Sequence, residues 1–260
     1  LLNIKEYVVP KTLKEAHDLY MMRKDSELIG GGVFLRLSPR TINMGIDLSN
    51  TELDFIKNEE NHIEIGGYTS FRKIEMSKCI NENFKSIVTA LKNVGGVQLR
   101  NMVTIGGSIY PKYGFSDLIT VLLSLNTKVY LYDREENLDT FLTQKRERNI
   151  LKKISIKKDV LKTSYQTLRN SKSDFGILNV AVSKFEKGFK ITVGARPGIA
   201  KLAIDGMEFI SSNINEKSIE KCSEIVANEL SFDTDIRATK EYRKEMCKVL
   251  VKRGLKEVIL

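Results

Sequence analysis

Histidine and cysteine are scarce in this chain, with two of the first and three of the second among 260 residues. Cys79, Cys222 and Cys247 stand far apart, in neither C-x-x-C nor zinc-ligand spacing. That excludes a disulfide framework and leaves free thiols, buried among helical residues in a reducing compartment. His17 and His62 are isolated, too few to assemble a metal site. No apolar run approaches the roughly 18 residues of a membrane span, and no secretory leader pattern is present. The expectation is a cytoplasmic protein that neither crosses nor binds a membrane. Neither the G-x-G-x-x-G dinucleotide fingerprint nor a phosphate loop with Lys-Ser/Thr occurs. There is no internal repeat or low-complexity tract, and no acid–base pair or nucleophilic triad.

What is present is ordinary for a globular chain: 42% hydrophobic and 29% charged residues exclude disorder. The length suits about two lobes. The net charge of +9 invites a polyanion partner, but the basic residues are scattered. The densest cluster, Lys145-Arg146-Glu147-Arg148 with Lys152-Lys153, is diluted by acid and carries no aromatic platform. A solvated basic surface is the expectation, with no nucleic acid bound.

Patterning predicts a β-α-β opening: "IKEYVV", a helix "TLKEAHDLYMM" capped by Thr12 with Glu15 at capping-box spacing, then "SELI" running into Gly30-Gly31-Gly32. Two strands flank the polar turn 58–61, and residues 70–95 read as helical with Ile74, Ile80, Phe84, Ile87, Val88 and Leu91 on one stripe. "SDLITVLLSL" is a buried helix capped by Ser116 or Asp117. "TKVYLYD" and "ILKKISI" are strands. Residues 174–198 form a hairpin with Gly188 in its turn, and two amphipathic helices close the chain. These elements place a lobe boundary near residue 152.

Gly30-Gly31-Gly32 and Gly106-Gly107 each follow a short β-like stretch. Glycine lets successive backbone N–H groups converge on an anion and removes the Cβ that would hold a diphosphate away. A single Gly-Gly is usually only a turn. Two such loops in one lobe, the second followed by Ser116-Asp117, point towards a dinucleotide gripped at its phosphates, with a carboxylate for sugar hydroxyls.

The run "VGGVQLRNMVTIGGSI", followed by "SDL" and "LLSLNTKVYL", resembles the FAD-binding medium subunit of molybdenum hydroxylases, the group of xanthine dehydrogenase and carbon monoxide dehydrogenase. "LIGGGVFLRL", "IEIGGYTSFRKIE", "RNSKSDFGILNVAVS" and "DTDIRATKEYRKEMCKVLVKR" extend the similarity over nearly the whole chain in the same order. The likeness is greatest to a shorter branch associated with accessory or purine-hydroxylase gene products. The resemblance implies an α+β fold: a two-lobed FAD-binding module of the vanillyl-alcohol-oxidase (PCMH) type over 1–152, with subdomains about 1–55 and 56–152, and a small C-terminal domain of sheet and helices over 153–260.

Carried over residue by residue, Leu28, Ile29, Gly30, Gly31, Gly32, Val33, Phe34 and Leu35 would form the first pyrophosphate loop. Thr104, Ile105, Gly106, Gly107 and Ser108 would form the second, with the Thr104 hydroxyl and the Gly106-Gly107 amides facing phosphate. Ser116 and Asp117 would hold ribose or ribityl hydroxyls, Leu151 and Gln166 would lie against the flavin, and Asp174 would close that side. This chain departs from the family at Gly32-Val33, where a polar pair is usual, at Ser108 for Asn, at Val94 for an aromatic ring, at Gln166 for Lys, and at Lys112-Tyr113-Gly114 for a small, proline-containing segment. Read without the resemblance, Arg100 is a surface ion-pair partner, Asp174 a turn cap, and Phe115, Phe175 and Phe185 core, while Tyr242 and Arg243 tie the last helix to the second lobe.

The implied function is an FAD electron-transfer subunit. It would take electrons from a molybdopterin-binding large subunit, through a 2Fe–2S small subunit, and pass them to NAD or another acceptor. This chain lacks the cysteines a cluster needs and would supply only the flavin step. The departures motivate a second reading, a non-catalytic assembly subunit of the same fold with weak or no FAD binding. A self-sufficient flavin reductase would need an acid or base the sequence does not offer, and a polyanion binder would show steep salt dependence.

Overall fold

The computed structural model describes residues 2–212 and 214–260. The chain opens with β1 (Asn3–Val8), α1 (Leu13–Met22), β2 (Ser26–Ile29) and β3 (Thr41–Asp47). β3 lies between β1 and β2 and runs parallel to both. Parallel neighbours need a crossover, which α1 provides between the outer strands. The Thr12 hydroxyl caps α1 by accepting the Glu15 N–H at 3.1 Å, while Glu15 reaches back to the Lys11 N–H rather than to that of Thr12. Ala16 and Tyr20 of α1 bury with Met44 and Ile46 of β3.

A five-stranded antiparallel sheet follows. β4 (Ile56–Asn58) and β5 (His62–Gly66) are the expected hairpin. The helical stretch after them is broken into α2 (Phe71–Met76), α3 (Lys78–Asn83) and α4 (Lys85–Lys92), because Ser77 and Phe84 leave helical backbone at ψ 122° and 58°. The stripe itself was read correctly. Bending at those two points keeps Ile74, Ile80, Phe84, Ile87 and Leu91 in one core with Ile63 and Ile65 of β5. Next come α5 (Val97–Met102), α6 (Ile105–Ile109), α7 (Asp117–Ser124), β6 (Thr127–Leu131), β7 (Glu135–Asn137), α8 (Leu138–Thr143) and β8 (Leu151–Lys157). The strand order is β4-β5-β8-β6-β7.

The expected boundary near residue 152 cuts β8, the central strand, which pairs with β5 on one side and β6 on the other. The sheets divide later, in the turn between Lys157 and Val160. Alternation along "ILKKISI" shows a strand without showing which sheet it joins. The last sheet contains β9 (Val160–Leu168), β10 (Leu178–Phe185), β11 (Phe189–Gly194) and β12 (Lys201–Leu202), covered by α9 (Ile204–Ser212), α10 (Glu216–Glu229) and α11 (Lys240–Ile259). The β10–β11 turn holds Gly188 at φ 91°, as the hairpin reading required. Cys222 and Cys247 are buried; Cys79 is only half-buried. Among the described residues no helix is long and apolar enough to cross a membrane.

α7 joins the lobes. All eight of its residues are buried, and it packs against α4 on one side and β10 and β11 on the other. Polar groups along it are paired across the seam: Thr192 donates to the Thr120 carbonyl at 2.7 Å, and the hydroxyls of Ser124 and Ser183 lie 2.9 Å apart.

Arg243 ties α11 down as expected, but as a fully buried cation. Its Nε donates to the Ile177 carbonyl at 3.0 Å, Nη1 to the carbonyls of Asp233 and Ala238, and Nη2 to Asp235 at 2.6 Å. Tyr242 is half exposed and outside this network. Burial would raise the Asp235 carboxyl, but hydrogen bonds from Arg237 and Arg243 overcome it and hold the group far below its ordinary 3.8. Removing Arg243 leaves Asp235 with Arg237 as its remaining cation and strips the Ile177, Asp233 and Ala238 carbonyls of a buried donor. Arg243→Met should therefore cost about 3–5 kcal/mol in urea unfolding at neutral pH. Because the folded value is depressed, the carboxylate's contribution is complete above 3.8 and drains away as pH falls below it. The stability gap between wild type and Asp235→Asn should narrow steadily in acid.

Candidate functional site

A cleft of about 450 Å³ opens between the lobes, a size suited to a small molecule or cofactor. Its first wall is the loop after β2, where Gly31 and Gly32 take φ of 68° and 64°. A Cβ on Gly31 would overlap the Met102 carbonyl, whereas one on Gly32 would meet nothing nearer than Ile29 at 3.9 Å. Among the described residues, the backbone N–H groups of Gly31, Gly32, Val33 and Phe34 find no acceptor in the protein. Gly32, Val33 and Phe34 line the cleft, so unpaired donors stand at its surface.

The second glycine loop does different work. The Gly106 N–H donates to the Gly67 carbonyl at 2.7 Å and the Gly107 N–H to the Thr104 hydroxyl at 3.2 Å. That hydroxyl in turn donates to the Gly30 carbonyl at 3.4 Å. The expectation that the Thr104 hydroxyl and the Gly106-Gly107 amides face phosphate is corrected. Thr104 ties the second loop to the first and Gly106 ties it to Gly67, just after β5, and the absent side chains of Gly30 and Gly107 make room for the Thr104 hydroxyl: a Cβ would lie 2.8 and 3.0 Å from its Oγ1.

On the far wall Ser116 caps α7, accepting the Ile119 N–H at 3.2 Å, and leaves Asp117 as its first residue. Tyr165 of β9 and Arg169, just beyond that strand, both donate to Asp117 Oδ1, while Oδ2 receives no protein donor among the described residues. Burial pushes the Asp117 carboxyl up, opposed by Arg169 and by the Tyr165 hydroxyl, and the Tyr165 phenol is pushed well above 10.0 by burial and the facing carboxylate. Arg169 Nη1 also donates to the Asp174 carbonyl, and its Nε is buried without an acceptor. Four rings edge the cleft: Phe34, Tyr113, Phe115 and Phe175.

Residues 2–158 match the family model described as the FAD binding domain in molybdopterin dehydrogenase, and residues 163–258 match the CO dehydrogenase flavoprotein C-terminal domain. The chain belongs to the medium, FAD-binding subunits of the molybdenum hydroxylases. The glyceraldehyde dehydrogenase medium chain of Sulfolobus acidocaldarius is 24% identical over 97% of both chains. The nicotinate dehydrogenase FAD-subunit of Eubacterium barkeri is 32% identical over 48% of this chain and 45% of its own. Among solved structures, quinoline 2-oxidoreductase from Pseudomonas putida 86 shares the fold at a TM-score of 0.90 and 19% identity, covering 98% of this chain and 96% of that one. Reconstituted CO dehydrogenase from Oligotropha carboxidovorans does so at 0.88 and 18%, covering 98% and 97%.

FAD is the cofactor of this family, and the cleft fits it. Unpaired amides for a diphosphate stand on one wall, and a carboxylate oxygen without a protein donor on the other. Of the residues expected to hold FAD, Leu28, Gly30, Gly32, Val33, Phe34, Leu35, Thr104, Gly107, Ser108, Ser116, Asp117 and Asp174 line the cleft. Ile29, Gly31, Ile105 and Gly106 stand behind it. Two lie elsewhere. Leu151 is in the core of the five-stranded sheet, and Gln166 Nε2 donates to Glu257 at 2.7 Å and to Ser164.

Arg100 is corrected as well. It is buried, pairing through Nε with Glu75 at 3.0 Å and donating to the carbonyls of Val94 and Gly95, so it fixes the turn before α5 at the cleft rim. Phe115 and Phe175, expected in the core, edge the cleft, and Phe185 is half-buried. Tyr165 and Arg169 were missed. Arg169 sits in the same "RNSKSD" segment as Asp174, but only the acid was singled out, and nothing local to Tyr165 reveals its carboxylate partner.

The two positive-φ glycines separate strain from overlap. Gly32→Ala should cost about 1–2 kcal/mol from backbone conformation alone. Gly31→Ala adds the overlap with Met102 and should lower the urea midpoint distinctly further.

Proposed function

We propose that this chain carries FAD between its lobes and acts as the exit for electrons from a cytoplasmic molybdenum hydroxylase of the xanthine or purine type. Electrons from a molybdopterin-binding large subunit pass through a 2Fe–2S small subunit to this chain's flavin and on to NAD or another acceptor. Family membership supports the cofactor and the assembly class. The single observation that carries the reading is the run of unpaired N–H groups from Gly32 to Phe34 at the wall of the cleft.

When bound, FAD supplies the redox chemistry, exchanging electrons with its partners. The protein's own residues position it. The first-loop amides offer donors to a diphosphate without the desolvation cost of buried ammonium groups, and the glycines let it approach closely. Asp117 Oδ2 would accept from a sugar hydroxyl, while Tyr165 and Arg169 on Oδ1 hold the carboxyl in place. Leu118 and Val103 add apolar surface to the cleft lining.

A second reading, an assembly subunit with weak FAD binding, is favoured by one observation: Thr104, Gly106 and Gly107 are engaged within the protein. At about 0.5–1.5 kcal/mol for each hydrogen bond, losing the polar pair at Gly32-Val33 weakens binding without abolishing it.

A visible absorbance spectrum of the purified chain, with heat release of any nucleotide, separates the readings. The expected result is one FAD per chain, with Asp117→Asn raising the Kd about tenfold while the far-ultraviolet circular dichroism is unchanged. A folded wild type that stays colourless in excess FAD would promote the assembly subunit.

A further inference from the structure

The four rings at the cleft belong to none of the three hydrophobic cores. They come from separate places: Phe34 from the loop after β2, Tyr113 and Phe115 from the approach to α7, and Phe175 from the segment between β9 and β10. They nevertheless gather into one group. Phe34 lies 4.8 Å from Tyr113 and 5.3 Å from Phe115 between centroids, Tyr113 lies 5.0 Å from Phe115, and Phe115 lies 4.4 Å from Phe175. Phe34 and Tyr113 with Phe115 include near-parallel pairs, at 22° and 14°. Phe34 is 38% exposed and Phe175 49%. A folding core hides its aromatic rings; a set left open at a cleft between lobes is arranged for another flat ring.

Resting on the reading that this cleft binds FAD, we propose that Phe34, Phe115 and Phe175, with Tyr113, are the platform for the isoalloxazine ring, doing by stacking what side-chain hydrogen bonds at Gly32-Val33 do not. Two features select this ring over adenine. The platform is at the open side of the cleft, where an electron donor or acceptor can come close. Arg40 and Arg146 also line the cleft and are near enough to Tyr113 to draw its phenol down against the rise that burial imposes. A ring that takes up electrons gains negative charge, which these cations favour, whereas adenine gains none.

The experiment uses the full chain, freed of bound nucleotide, and follows emission quenching with lumiflavin, which has the ring without ribityl or phosphate, alongside calorimetric titration with adenosine and FAD. Wild type should bind lumiflavin and quench it. Phe115→Leu with Phe175→Leu should raise the Kd for both lumiflavin and FAD about tenfold or more, with the melting temperature of the nucleotide-free chain unchanged, because neither ring belongs to a core. If the double variant misfolds, Phe175→Leu alone, at a largely exposed site, should still raise the lumiflavin Kd measurably. FAD bound equally tightly by wild type and a folded variant would overturn the platform and leave the FAD reading intact. Adenosine binding that the double variant loses would overturn the choice of ring. Wild type that binds neither FAD nor lumiflavin would overturn both.

Discussion

A buried carboxylate at the start of a wholly buried helix governs how the two halves of this molecule meet. α7 lies between the helices of the first lobe and the sheet of the second, so its first residue can be reached only from the cleft. Asp117 occupies that place, and both of its protein donors, Tyr165 and Arg169, come from β9 or just beyond it. Charges removed from water repay their desolvation only where hydrogen bonds are well made. Satisfying Oδ1 therefore fixes β9 against α7 and, through the Arg169 contact with the Asp174 carbonyl, fixes the loop carrying Phe175. The cleft's far wall is a consequence of this one pairing.

The near wall follows from a second constraint, the contact between the two glycine loops. Thr104 reaches across to the Gly30 carbonyl while receiving the Gly107 N–H, which is possible only because neither glycine has a side chain in the way. With the Gly106 and Gly107 amides occupied in this manner, the unpaired glycine-loop amides at the cleft are those of the first loop, from Gly32 to Phe34. The same residue type thus serves close packing at Gly30 and Gly107, and at Gly31 and Gly32 a left-handed turn whose amides have no partner. Composition alone makes these uses look alike.

That is why the sequence revealed the fold more fully than the site. Strand alternation, the Thr12 cap, the Gly188 turn and the buried stripe on α2 to α4 are local properties, written in residues a few positions apart. The assignment of β8 to the first sheet depends on pairing with β5 and β6, and β9, with Lys162, Thr163, Ser164, Gln166 and Thr167 making up most of its nine residues, has no clear alternation. Arg100 shows the limit well. Its charge suggested a surface pair, yet Glu75, brought in from 25 residues away, together with the nearby Val94 and Gly95 carbonyls satisfies it in the interior. Of the residues the ordered motifs named, Gly30, Gly32 to Leu35 and Ser116-Asp117 line the cleft. They did not reveal which donors were already engaged, because that depends on partners distant in the chain.

The same logic bears on how this chain departs from its family. A polar side chain in the first loop would present one fixed hydrogen-bonding group; Gly32 and Val33 present only backbone there. Beside that position stands Phe34, and the rings of Tyr113, Phe115 and Phe175 close around it from the rest of the cleft. Lys112-Tyr113-Gly114, a departure on its own, becomes intelligible in this setting. The positive φ of Lys112 turns the chain, and the lack of a side chain at Gly114 leaves room beside Pro197 and Gly198, whose carbonyl oxygens a Cβ there would meet at 3.1 Å. That route brings Tyr113 and Phe115 to the mouth together. The departures are therefore coupled through space. On the proposed platform, the rings would meet the ligand beside the first loop's backbone, and each ring pair, at about 0.5–1.5 kcal/mol, is of the size needed to offset one lost hydrogen bond.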